Sequence, residues 1–112
     1  MLDREAFVAE LLRVAPETGA AVAEHLDDND GGLLLHLLLG DLLRLTVEAF
    51  HGGDQDLAQR LVGVVAHGLD EGDDFVANAV AVSFVEGFGA LPGETDDLLG
   101  LWPPALRSEL GR

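Results

Sequence analysis

The sequence predicts an all-α domain: a compact antiparallel helix bundle or a short HEAT-like helical array, with about five main helices plus two short C-terminal ones. Three observations predict it. Apolar residues recur at helical spacing in nearly every segment. Short breaks rich in Gly, Asp and Pro separate the segments, and short connections favour antiparallel neighbours. The chain has 112 residues, 48% of them hydrophobic, which is the length of one domain and enough to bury a core without staples.

Each element has its own justification. In Leu2 to Ala15, the side chains of Phe7, Val8, Leu11, Leu12 and Ala15 share one helical face. Asp3 is placed to cap that helix and Pro16 to end it. Pro16 also suits the first turn of a second helix running to about Leu26, with Glu17 near the positive end of its dipole. Asp27-Asp28-Asn29-Asp30-Gly31-Gly32 is a break. The longest helix follows, from about Leu33 to Phe50; its apolar positions wrap most of the circumference, which predicts a central place. On it, Arg44 is spaced for ion pairs with Asp41 and Glu48, each contributing about 0.2–0.5 kcal/mol.

His51-Gly52-Gly53-Asp54 breaks the chain again. Asp54 or Asp56 then caps a helix that buries Leu57, Leu61, Val64, Val65 and Leu69, closed by Asp70-Glu71-Gly72-Asp73. From Asp74 to about Phe88 the chain is strongly apolar but its period is noisy. A strand over Val80 to Val85 competes there, and Ala77, Ala79 and Ala81 favour helix. Leu91-Pro92-Gly93 reads as a loop, Thr95 as the cap of a short helix through Leu99, and Pro103 or Pro104 as the start of a last helix reaching Leu110. Trp102 is expected as a lid on the bundle with its N–H on a carbonyl, the alternative being an exposed interface anchor.

Charge bounds the function. The chain carries 21 Asp plus Glu against 6 Arg, no Lys, and a net charge of −15. Such a field repels nucleic acid and anionic lipid headgroups and attracts basic proteins. The six Arg are scattered, so nucleic-acid binding is the class most directly disfavoured. The absence of Ile, Lys and Tyr beside abundant Ala, Gly, Val and Leu points to a GC-rich bacterial genome, and the acidity has two readings, a proteome-wide bias or salt adaptation on one side and a basic partner on the other. The absence of Cys excludes a disulfide framework, a zinc–thiolate site and a thiol nucleophile. Met1-Leu2-Asp3-Arg4-Glu5 carries acids where a signal peptide needs bases, and the apolar run Leu33 to Leu39 is too short to span a bilayer. The expectation is a cytoplasmic protein with no membrane partner.

No motif reaches a specific chemistry. The acidic turns starting at Asp27, Asp28 and Asp70 fail the EF-hand spacing, because Gly31, Leu33 and Phe75 fall at the critical positions. His25 with Asp28, His51 with Asp54, and His67 with Asp70 form His-x-x-Asp pairs, which the dipole at a helix C-terminus explains without metal. His36, inside the apolar run, reads as a buried or half-buried core histidine on a backbone carbonyl. Asn78, Ser83 and Glu86 are the polar positions of the second apolar helix. With His36 and Arg44, Asn78 and Glu86 make the one candidate cleft worth testing for acid–base chemistry. The reading assigns no catalytic residue, no metal and no cofactor.

Three stretches carry a resemblance: Asn29 to Asp41 (NDGGLLLHLLLGD), Val82 to Glu86 (VSFVE) and Leu99 to Leu106 (LGLWPPAL). In this order and spacing the chain resembles a family of small bacterial all-helical proteins of unknown function. The shared motifs are packing motifs, so the resemblance implies a fold and supplies no active-site residues. Proteins of this kind sit within a wider set that includes immunity proteins of toxin–immunity pairs. The expected function is a non-catalytic protein-binding module, in its sharpest form an immunity protein that occludes a basic toxin. The candidate partner-binding residues are Asp27, Asp28, Asp30, Asp70, Glu71, Asp73 and Asp74. The alternatives are a small hydrolase or metal-dependent enzyme around His36, and a self-associating structural protein, which so high a like charge opposes.

Overall fold

Helices α1 (Arg4–Val14), α2 (Gly19–Asp28), α3 (Leu35–His51), α4 (Gln55–Glu71), α5 (Asp74–Ala79), α6 (Asp96–Leu99) and α7 (Pro104–Leu110) make up the fold. A 3-10 turn at Pro16–Thr18 leads into α2, and a π-helical segment at Val80–Val85 continues α5. The computed structural model describes residues 1–28, 35–87 and 96–111. Expectations that fall on Asp30, Leu33, Phe88, the Leu91–Gly93 loop and the Thr95 cap lie outside the described residues, as does the side chain of Asp28.

Asp3 and Asp54 cap the helices that the sequence assigns to them, and Asp73 adds a cap that the sequence reading did not assign. Asp3 accepts from the Ala6 N–H at 2.8 Å, and Asp54 accepts from the Leu57 N–H at 3.1 Å. Asp73 caps α5 through the Val76 N–H at 2.9 Å. Each satisfies an N–H that the first helical turn leaves without a partner. Gly53, at φ +88°, supplies the left-handed residue that the tight α3–α4 turn needs.

Helices α3 and α4 form an antiparallel hairpin at the centre. The first buries Leu35, Leu38, Leu39, Leu42, Leu43, Thr46 and Val47; the second buries Ala58, Leu61, Val62, Val64, Val65 and Gly68. Leu57 and Leu69, expected inside, are half-buried at the edges of the α4 stripe. Helix α1 lies antiparallel on α4, as the pairs Glu10–His67 and Val14–Arg60 require. Helix α7 packs on α4 and on the π segment. In a solenoid each unit touches only its neighbours. The contacts of α1 and α7 with α4 span most of the chain, so the architecture is a bundle.

Two features depart from the expected pattern. The noisy stretch after Asp74 is neither strand nor uniform α-helix: it widens into a π-helical turn, in which the Glu86 N–H reaches back five residues to the Ala81 carbonyl at 3.0 Å. The wider turn keeps Val80, Phe84 and Val85 in the core and carries Ser83 to its margin. The N-terminus is also tied down. The Leu2 N–H donates to the Glu71 carbonyl at 2.9 Å, and the Asp73 N–H donates to the Leu2 carbonyl at 2.8 Å. Trp102 is buried, its ring 5.4 Å from that of Phe84, as a lid packs. Among the described residues, no helix is long and apolar enough to cross a membrane.

Candidate functional site

A cleft of about 660 Å³ opens between α2 and α3. Its α3 wall is the polar strip His36, Gly40, Asp41 and Arg44 edged by Leu37 and Leu45, and its α2 wall is Ala21, Glu24 and His25. This strip exists because the opposite faces of α3 are filled with Leu. Arg44 Nη1 donates to Asp41 Oδ1 at 3.1 Å, the pair expected from the spacing. Both groups are open to solvent, so the pair contributes little to stability.

The histidines are placed differently from the reading of the sequence. His25 is the buried one, 4% exposed, with Nδ1 4.0 Å from Asp41 Oδ2. His36 is exposed, not buried, and its partner is not a backbone carbonyl: Nδ1 shares a 2.7 Å hydrogen bond with Ser83 Oγ. Phe75 meets the His36 ring edge-on, with centroids 6.0 Å apart. His67 lies well inside α4, away from the last turn, and bonds Glu10 across the α1–α4 seam at 2.6 Å. His51, in the last turn of α3, packs edge-on against Phe50. Among the described residues, no three His, Asp or Glu side chains come together as a metal-holding group.

The candidate cleft residues separate into two pairs. His36 and Arg44 line the α2–α3 cleft, whereas Asn78 and Glu86 are exposed side chains outside its lining. Ser83 takes the position beside His36. The hydroxyl–imidazole pair has the reach of a nucleophile and a base, but it lies at the rim of the cleft.

Part of the acidic set gathers around Leu2 at the α4–α5 connection. Asp27 is exposed at the close of α2. Phe75 on His36 brings the start of α5 to the N-terminal end of α3. Asp70, Glu71 and Asp74 are exposed, and Asp73 is half-buried by its capping role. The Leu2 tie adds Asp3 and Glu5, which lie with Arg4, Asp73 and Phe75 around a depression of about 370 Å³. Reading of the sequence missed these two acids, because only the tie between Leu2 and the α4–α5 connection brings them there.

A separate ionic cluster fastens α1 and α2 to α4. Arg60 donates to both carboxylate oxygens of Glu17, at 2.7 and 2.5 Å, to Asp56 at 2.9 Å, and to the Val14 carbonyl at 3.1 Å. The Arg60 hydrogen bonds hold the Glu17 carboxyl down at about 2, and Glu17 in turn raises the Arg60 guanidinium. This bidentate pair fixes the entry of α2 and hence one wall of the cleft.

No curated protein and no solved structure matches the chain. A family model described as Domain of unknown function (DUF7674) matches residues 8–112, nearly the whole bundle from α1 through α7, and the chain belongs to that family.

Proposed function

We propose that the protein is a non-catalytic protein–protein interaction module that meets a basic partner with the acidic end of its bundle. Its sharpest form is immunity to a basic toxin, in which the bundle covers a cationic substrate-binding surface. The observation that carries this reading is the gathering of Asp3, Glu5, Asp70, Glu71 and Asp73 around the Leu2 tie, on a chain of net charge −15. A one-signed field on a small domain steers oppositely charged proteins and raises their association rate. The same charge opposes close association of two copies.

The test is capture of binding proteins from the native host's lysate on the immobilised chain, at low and at high salt. The reading predicts a basic protein recovered at near-equal stoichiometry at low salt and lost at high salt. Recovery of the bait alone, or of a partner indifferent to salt, contradicts it.

One observation favours a second reading, a hydrolase: the His36–Ser83 hydrogen bond. It predicts that a fluorophosphonate phosphonylates Ser83, with loss of fluoride and transfer of the hydroxyl proton to His36, and that Ser83→Ala abolishes the labelling. An unlabelled wild-type chain removes it.

A further inference from the structure

The α2–α3 cleft shares no residue with the gathering around the Leu2 tie, and a glycine stands in the middle of its α3 wall. His36, Gly40 and Arg44 follow one another at four-residue spacing, so they stack on one face of α3. His36 and Arg44 therefore stand about 12 Å apart along the helix, at 1.5 Å of rise per residue, with Gly40 between them. A glycine inside a helix weakens it relative to alanine. Packing does not ask for one here, because a Cβ on Gly40 would meet no atom within 4 Å. Gly63 is as open, but it is exposed on the surface of α4, whereas Gly40 is half-buried in the wall of the cleft. Position 40 thus keeps clear a space that no protein group fills.

We propose that this cleft binds a small aliphatic amine in its ammonium form. The proposal does not rest on the acidic-end reading. The charges of the lining decide the class of ligand. Arg44 is bonded to Asp41 Oδ1 at 3.1 Å, so these two charges offset each other. Glu24, on the α2 wall, has no ion-pair partner among the described residues. Imidazoles apart, the lining is left with one uncompensated carboxylate, the complement of one ammonium. Asp41 Oδ2 supplies a further acceptor: His25 Nδ1 lies 4.0 Å from it, beyond hydrogen-bond length, which leaves the oxygen open to a donor from a ligand.

The rest of the lining selects an organic cation. Ala21, Leu37 and Leu45 give an alkyl chain an apolar surface to lie against. A metal ion asks for three or so ligating side chains, and the described residues bring no such group together. An anion held by Arg44 would work against Glu24 and against the field of a chain of net charge −15, which enriches cations at its surface. The ammonium can belong to a free amine or to a lysine side chain of a protein.

The experiment titrates the isotope-labelled chain with hexylamine at about pH 7, where amines carry their proton, and in parallel with hexanol and hexanoate, which keep the alkyl chain and change the charge. Hexylamine is expected to shift the backbone amides of residues 21–25 and 36–45 saturably, and the other two much less. Glu24→Gln should weaken hexylamine about threefold, the scale of a lost, partly exposed ion pair. Gly40→Leu, which fills the cleft from its wall, should abolish the saturable shifts. Glu24 is exposed, so Glu24→Gln carries the test should Gly40→Leu disturb the fold. Nα-acetyl-lysine amide separates the sources: binding as tight as that of hexylamine assigns the site to a protein lysine, and weaker binding to a free amine. The site is overturned by no saturable shift, by hexanoate binding as well as hexylamine, by shifts as strong over residues 70–74 as over the cleft, or by binding that neither variant alters.

Discussion

A Cβ placed on Gly68 would stand 2.7 Å from Cε2 of Phe7, so the ring of α1's largest core residue lies directly on the α4 backbone. Phe7 is fully buried and has no room to retreat. Gly68→Ala therefore forces overpacking, a cost of about 1–3 kcal/mol that exceeds the gain of under about 1 kcal/mol from better helix propensity. On the same helix Gly63 is exposed with nothing within 4 Å of a new Cβ. Gly63→Ala should stabilise the protein by about 0.5–1 kcal/mol. Urea unfolding of the two variants should show shifts of opposite sign.

Ser83→Ala removes the hydroxyl that joins the π segment to His36. The bond is partly exposed, so the expected loss is about 0.5–1.5 kcal/mol in urea unfolding. The ring resonances of Phe75 should also move, because its edge-on partner is released. Unchanged stability together with unchanged Phe75 resonances would show that the bond does not order the His36–Phe75 contact.

The Glu17–Arg60 pair gives the fold a defined acid dependence. Glu17 titrates at about 2 in the folded chain, against 4.5 for an ordinary glutamate. A carboxyl whose folded value is depressed stabilises the fold above the unfolded value and loses that contribution as pH falls toward the folded one. The stability difference between wild type and Glu17→Gln should be constant above about pH 5 and shrink between 4.5 and 2. Urea midpoints measured across that range check it. A difference independent of pH would contradict the pairing.

Asp73 serves α5 as a cap rather than as a free surface charge. Asp73→Ala should cost about 0.5–2 kcal/mol, whereas Asp73→Asn, which keeps a capping oxygen, should cost only a fraction of that. The comparison, made by thermal unfolding, separates the structural role of this carboxylate from its charge.

The helices and their caps were legible because local chemistry decides them: Asp3 and Asp54 precede helical apolar patterns, and Gly53 marks the tight turn. The π segment was legible only as noise. Val76, Ala79, Val80, Phe84 and Val85 share a buried face only if the turn widens, and a regular period has no place for that. The side to which His36 points was hidden by the Leu run, in which every face looks apolar. Its spacing of four and eight residues from Gly40 and Arg44 was the signal that put it on the polar strip. The Glu17–Arg60 pair and the Leu2 tie join residues 43 and more positions apart, and nothing local announces either.

The acidic end is the centre of the account, and its most direct test is the association rate of the captured basic partner with wild type and with a neutralised chain. The neutralised chain carries Asp27→Asn, Asp70→Asn, Glu71→Gln and Asp74→Asn, with the Asp73 cap left intact. Stopped-flow measurements from low to high salt should show a slower on-rate for the neutralised chain and a flatter dependence on salt. An on-rate and salt slope equal to those of the wild type would contradict the account.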